Sequence, residues 1–198
     1  MTMRLLAVAS SVFFAGCSVF GHSNVKTPDY QVVQKDGDFE IRQYPQLTLV
    51  LSQVSGSEAQ ARRTNFKRLF DYIQGKNTTQ QKYEMTAPVL MQSVPSGGYQ
   101  MAFVLPQGVS QPPASTGLTT QVLRDARFAA YRFSGKLTPE RSEDAHKQVL
   151  AWLAQQQITA PQQTFYSAGY NAPWTINAFK TNDVLVPLSN DSLIQPTP

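Results

Sequence analysis

The sequence predicts an α+β fold: two similar halves, each with one helix, that can form a curved sheet or barrel with the helices packed outside. Three observations lead there. Two segments carry a 3.6-residue apolar period between start and stop signals, and most of the remainder reads as short apolar or alternating runs bounded by turns. The order strand, Ser-Gly, helix, two strands occurs twice, at Val54-Ser55-Gly56 and at Phe133-Ser134-Gly135, an offset of 79 residues. About 41% of the chain is hydrophobic and 15% charged, enough apolar material for one domain's core.

Residues 1–16 read as a lipoprotein signal peptide. Arg4 supplies a positive start, Leu5 to Phe14 an apolar stretch, and Ala15-Gly16 the small residues before a cut. The apolar stretch is shorter than the roughly 20 residues a spanning helix needs. Cys17 follows directly and is the only cysteine. It can form no disulfide within one molecule, and lipidation accounts for it. Ala-Gly-Cys resembles the bacterial lipoprotein box, which implies a lipid anchor at Cys17. With Ser18 after the cysteine, the resemblance implies an outer-membrane protein of the bacterial cell envelope facing the periplasm. Residues 17–28 are then the lipidated cysteine and tether, 29–188 the folded domain and 189–198 a flexible tail.

The first helix is expected from Ser57, with Gln60 completing a capping box, to Gly75 as the C′ stop. Phe66, Leu69, Phe70 and Ile73 form its apolar stripe. The second is expected from Thr138 (N-cap) and Pro139 (N1) to about Gln157, with Ala145, Val149, Trp152 and Leu153 facing the core. Strands are expected around Phe39–Ile41 and Leu47–Leu51, in a hairpin Val89–Val94 and Tyr99–Leu105, in a pair Leu118–Leu123 and Phe128–Phe133, and at Thr164–Tyr170 and Val184–Pro187. The proline-containing stretch Gln107–Gly117 reads as a loop between halves.

The formal net charge is +4, or +3 once Arg4 leaves with the signal. The densest basic cluster, Arg62-Arg63 with Lys67-Arg68, reads as a solvated helix face, so no nucleic-acid partner is expected. There are two histidines: His22 in the tether, and His146 beside the second helix's stripe, where it reads as a surface or boundary residue. No metal-ligand spacing, nucleophile elbow, phosphate loop or dinucleotide fingerprint occurs. Enzyme activity is not expected. Glu84, just before a proline-stiffened apolar segment, is the one carboxylate that a small-molecule hydrolase would use.

Aromatic, thioether and proline residues gather in Lys82-Tyr83-Glu84-Met85-Thr86-Ala87-Pro88-Val89 and Ala168-Gly169-Tyr170-Asn171-Ala172-Pro173-Trp174-Thr175. Such groups suit a flat apolar ligand. They equally suit a core cap at a strand end. These segments resemble the SOUL/heme-binding protein family. So do Tyr30-Gln31-Val32-Val33, Phe39-Glu40-Ile41-Arg42-Gln43-Tyr44, the Phe66–Asn77 stretch, Met101-Ala102-Phe103-Val104-Leu105-Pro106 and Asn182-Asp183-Val184-Leu185-Val186-Pro187. The resemblance covers about Asp29 to Leu188 and implies a distorted β-barrel of two βαββ-type pseudo-repeats, each with one packed helix, in agreement with the internal repeat.

The resemblance also implies heme, or a related tetrapyrrole or planar amphiphile, as the ligand. Arg63 would pair with a propionate, and Phe66, Phe70, Tyr170 and Trp174 would lie against the macrocycle. With no histidine between Asp29 and Ala145, iron would take Met85, Tyr83 or no axial protein ligand at all. A structural or interaction lipoprotein that has lost the ligand is the alternative. The sequence names no protein partner.

Overall fold

A computed structural model describes residues 25–95, 97–160, 164–172 and 174–188. The signal peptide, Cys17, His22 and the 189–198 tail lie outside them. The elements, in order, are β1 (Gln31–Asp36), β2 (Phe39–Val54), α1 (Glu58–Ile73), β3 (Val89–Ser93), β4 (Tyr99–Val104), β5 (Thr119–Ser134), α2 (Pro139–Gln155), β6 (Tyr166–Gly169), a 3-10 turn (Asn177–Phe179) and β7 (Thr181–Pro187). The sheet order is β1-β2-β4-β3-β6-β7-β5, and β5 pairs back onto β2. Six antiparallel strands therefore close a barrel, with β1 added outside it. Two βαββ halves (β2-α1-β3-β4 and β5-α2-β6-β7) meet at the β3–β6 and β2–β5 seams. The repeated Ser-Gly marks the strand-to-helix corner of each half. Gly56 and Gly135 take φ of +115° and +105°, a region that favours glycine.

Three cores follow from strand alternation. The interior holds Leu49, Leu51, Leu90, Ala102, Val104, Leu123, Phe128, Ala168 and Leu185. α1 covers an outer layer with Leu69, Tyr72 and Ile73 over Val50, Met91, Met101 and Phe103. α2 covers the other with Ala145, Val149, Trp152 and Leu153 over Ile41, Ala129, Val184 and Val186. Among the described residues, the strands, both helices and these three clusters build one barrel with its two outer layers.

Several expectations change. Leu118–Leu123 and Phe128–Phe133 are not a pair but one strand, β5, which stays paired with β2 along its length. The polar Arg124-Asp125 step is a kink, with Asp125 at φ +51°, opposite Pro45, which has no N–H to pair. Across this kink the alternation shifts by one residue on both strands: Tyr44 then Leu47 face inward on β2, Ala126 then Leu123 on β5. β1 and the 3-10 turn were not expected, and α2 ends at Gln155.

The first helix does start after Ser57, but Ser57 makes no side-chain bond to the helix backbone. Its hydroxyl meets Gln60 Oε1 at 3.2 Å instead, so the capping box does not form. The stripe also divides. Leu69 and Ile73 are buried, whereas Phe66 and Phe70 remain 38% and 42% exposed. α2 is capped as expected, with Thr138 Oγ1 accepting the Arg141 N–H. His146 is buried, not superficial, and its ring stacks on Phe165 at 4.4 Å.

Candidate functional site: the crevice between the helices

One end of the barrel interior is polar. The kinked alternation that turns Phe39 and Ile41 outward under α2 turns Glu40 and Arg42 inward. Arg42 Nε donates to Glu40 Oε2 at 2.8 Å and Nη1 to Asp183 Oδ2 at 2.6 Å. Arg132 donates to both Asp183 oxygens, at 2.9 and 3.1 Å. The Tyr170 hydroxyl donates to Asp183 Oδ2 at 2.7 Å, and Arg42 lies over the Tyr30 ring at 4.7 Å. Burial pushes the Asp183 carboxyl up, but Arg42 and Arg132 more than offset this and hold it below the usual range. Burial and the Asp183 charge push the Tyr170 phenol well up, so it stays a neutral donor.

The rest of the interior is filled. A void of about 10 Å³ remains among Leu49, Leu51, Leu90, Ala102 and Tyr166, with Gln92 and Gln100 also lining it. That is room for about one water molecule, not a ligand. A ligand would therefore bind outside the barrel wall.

α1 packs over β2 and β4, and α2 over β5 and β7. The outer face of β3 and β6 between the helices is left as a crevice. Near the helix N-termini it widens to about 250 Å³. Its floor includes Met91, Ser93, Tyr99, Phe165 and Ser167, and its walls include Glu58, Arg62, Leu137, Ser142 and Glu143. Buried Gln92 lines it too, and its Oε1 has no hydrogen-bond partner among the described residues. On α1 the ridge Glu58-Arg62-Phe66-Phe70 steps by four residues along the same side. Phe66 and Phe70 stack at 6.0 Å, and Phe66 meets Phe103 edge-on at 5.3 Å. Phe103 pairs with Val89 and Val89 with Gly169, so this end of the crevice lies beside the start of β3 and the end of β6.

The sequence-predicted residues divide across this geometry. Phe66 and Phe70 are on the crevice ridge. Met85, half-buried against the α1 core, precedes β3 at the same end. Trp174 lies on the loop after β6 and is 87% exposed. Tyr170 turns inward to Asp183, so its ring packs with the interior and not beside Phe66 and Phe70. Arg63 is exposed on α1, whereas Arg62 is the arginine that lines the widened part, paired with Glu58 at 2.7 Å. Glu84 is exposed and bound to Lys26 at 2.7 Å, and that hydrogen bond and charge hold its carboxyl below the usual range. Tyr83 is buried and stacks on Tyr72. No metal-type cluster of His, Cys, Asp and Glu occurs among the described residues. Arg42, Asp183, Gln92 and Phe165 were missed. Only the polar alternation of Glu40 and Arg42 hinted at an inward charge.

A closed barrel with two outer helices and an aromatic-polar crevice between them defines a class of small α+β proteins whose available ligand surface is external. The chain belongs to the SOUL heme-binding protein family, whose profile matches residues 25–187. It is 25% identical to Heme-binding protein 2 of Homo sapiens over 163 residues, which cover 75% of this chain and 80% of the human protein. Among solved structures, the C-terminal domain of EcmrR aligns at TM-score 0.57 and 9% identity, over 81% of this chain and 98% of that one. A hydrolase from Listeria innocua aligns at TM-score 0.52 and 6% identity, over 77% and 92%. At these identities the structural likeness is one of fold.

Proposed function

We propose that the protein is an envelope lipoprotein that holds heme, or a related planar tetrapyrrole-like amphiphile, without catalysing a reaction on it. The observation that carries this reading is the half-exposed Phe66–Phe70 stack, set edge-on over Phe103, on a barrel whose described interior leaves a void of about 10 Å³. Aromatic faces held by packing offer a flat apolar ligand contact with little ordering entropy to lose. At about 250 Å³ the widened crevice is smaller than the usual enclosed ligand site of about 300–1,000 Å³. A macrocycle would therefore lie across the opening.

The residues fit the porphyrin plane and its carboxylates. Arg63, exposed on α1, would pair with a propionate, and its neighbour Arg62, now paired with Glu58, would offer a second cation. They fit iron less well. His146 is buried behind Phe165, and Met85 is the sulfur ligand nearest the ridge in the chain path. Hydrophobic and propionate contacts thus hold the ligand, and His146, the histidine among the described residues, is buried away from it. The ion pair of Glu84 with Lys26 favours a binding role over hydrolysis, because it holds the exposed carboxyl below its usual range and makes it a poorer proton donor. The lipid anchor on Cys17 is part of the same proposal.

Hemin titrated into the Ser18–Pro198 form tests the binding reading. A saturable Soret shift at micromolar hemin supports it, and an unsaturable one removes it. Palmitate labelling of the wild type and of Cys17→Ser tests the anchor separately.

A further inference from the structure

The loop between β6 and β7 exposes Trp174 (87%), Ile176 (68%) and Phe179 (74%) within six residues. Its base is tied: Asn171 Oδ1 accepts the Thr181 N–H at 2.6 Å, and the Tyr170 N–H reaches the Thr181 carbonyl at 3.3 Å. Three large apolar tips on a closed base form an exposed patch of the kind that marks an interaction site.

The surrounding charge says what kind. No acidic residue occurs from Asn171 to Asn182. The Gly135 N–H bonds the Lys180 carbonyl at 3.0 Å, and Arg141 donates to the carbonyls of Lys136 and Ser134 at 3.1 and 2.6 Å. Lys136, Arg141 and Lys180 thus collar the base. Glu140, influenced by Lys136, is an acidic neighbour, and Asp183 is buried and matched by two arginines. Aromatic and aliphatic tips above a cationic collar match a bilayer interface with anionic headgroups.

The chain path points the same way. Lys26 bridges Thr86, and the Ala87 N–H bonds the Lys26 carbonyl at 2.8 Å. Val89 pairs with Gly169, the residue before the loop begins. Strand spacing and chain rise put Lys26 within about 20 Å of the loop base. The eight residues from Cys17 to Val25 span at most about 28 Å. An anchor at Cys17 would hold this rim of the barrel against the membrane.

We propose that residues 171–180 form a membrane-docking loop. Trp174, Ile176 and Phe179 enter the headgroup–acyl boundary of an anionic bilayer, and Lys136, Arg141 and Lys180 meet its phosphates. The direction of the tether rests on the lipoprotein reading. The loop does not, because it is tested without the lipid.

The test uses the unlipidated Ser18–Pro198 form with vesicles of phosphatidylglycerol and phosphatidylcholine, and with phosphatidylcholine alone. Trp152 is buried, so vesicles leave its surroundings unchanged and a change in tryptophan emission reports Trp174. Binding predicts a blue shift and co-flotation with the anionic vesicles. Trp174→Ala removes the shift, and Ile176→Ser with Phe179→Ser weakens flotation about tenfold or more. Each of Lys136→Glu and Lys180→Glu weakens binding to anionic vesicles by about fivefold or more. Equal binding to phosphatidylcholine alone overturns the role of the collar. No shift and no flotation on either composition overturns the proposal, as does full binding by Trp174→Ser/Ile176→Ser/Phe179→Ser with an unchanged unfolding midpoint. Failure of Cys17 labelling would remove the anchor and leave this result standing.

Discussion

Arg42 and Asp183 are 141 residues apart in sequence, yet Arg42 Nη1 lies 2.6 Å from Asp183 Oδ2 and both side chains are shut off from water. The pair joins the first strand of one half to the last strand of the other. Breaking a buried pair leaves one charge uncompensated, so Asp183→Asn should lower stability by about 3–5 kcal/mol in urea unfolding. The folded Asp183 carboxyl is held below its unfolded value of about 3.9. Its contribution is therefore complete above that value and is lost as pH falls through the folded pKa. Wild-type stability should drop in that acid window, and the drop should shrink in Asp183→Asn.

His146 makes a different pH prediction. Burial lowers its pKa, and Glu143 offsets this only in part. The unfolded chain binds the proton first as pH falls, so this contribution is complete above about 6.5 and is lost below it. Urea midpoints taken above and below neutrality should differ in the wild type. The difference should narrow in His146→Phe, which keeps the stack on Phe165 and removes the unpartnered Nε2.

The two helix starts look alike in sequence and differ in the fold. Thr138→Ala should cost about 1 kcal/mol, because Thr138 accepts the Arg141 N–H. Ser57→Ala should cost a few tenths or less, because Ser57 makes no such bond. Equal losses in thermal unfolding would contradict this distinction.

Two neighbouring glycines separate conformation from contact. Gly97 and Gly98 both take positive φ, +88° and +95°. A Cβ on Gly97 meets open space, but one on Gly98 collides with the Val54 carbonyl oxygen. Gly97→Ala should lose about 1–2 kcal/mol by strain alone, and Gly98→Ala clearly more.

The fold was legible where local chemistry decides it. Thr138-Pro139 and the repeated Ser-Gly set the helix starts, and apolar periodicity set their buried faces. Legibility ended where the barrel's closure decides. Arg124-Asp125 has the composition of a turn, but β2 holds the chain straight on either side of it. Glu40 and Arg42 alternate with Phe39 and Ile41, and an alternating charge normally faces solvent. Here a second helix covers the apolar face, so the charges go inside. The Tyr170-Asn171 motif is visible as a pattern, but only the fold ties Tyr170 to Asp183 and Asn171 to Thr181. The same holds for Phe66 and Phe70, whose spacing fits a buried stripe and whose place at the edge of α1 leaves them half-exposed.

The central claim is that a planar amphiphile binds on the α1 ridge of the crevice. Hemin affinity of Phe66→Ser/Phe70→Ser, measured beside the wild type by Soret titration with unfolding midpoints for both, tests it most directly. The account predicts a loss of about tenfold or more in affinity. It also predicts a modest change in midpoint, since both rings are already partly in water. Unchanged affinity in a folded variant would contradict it.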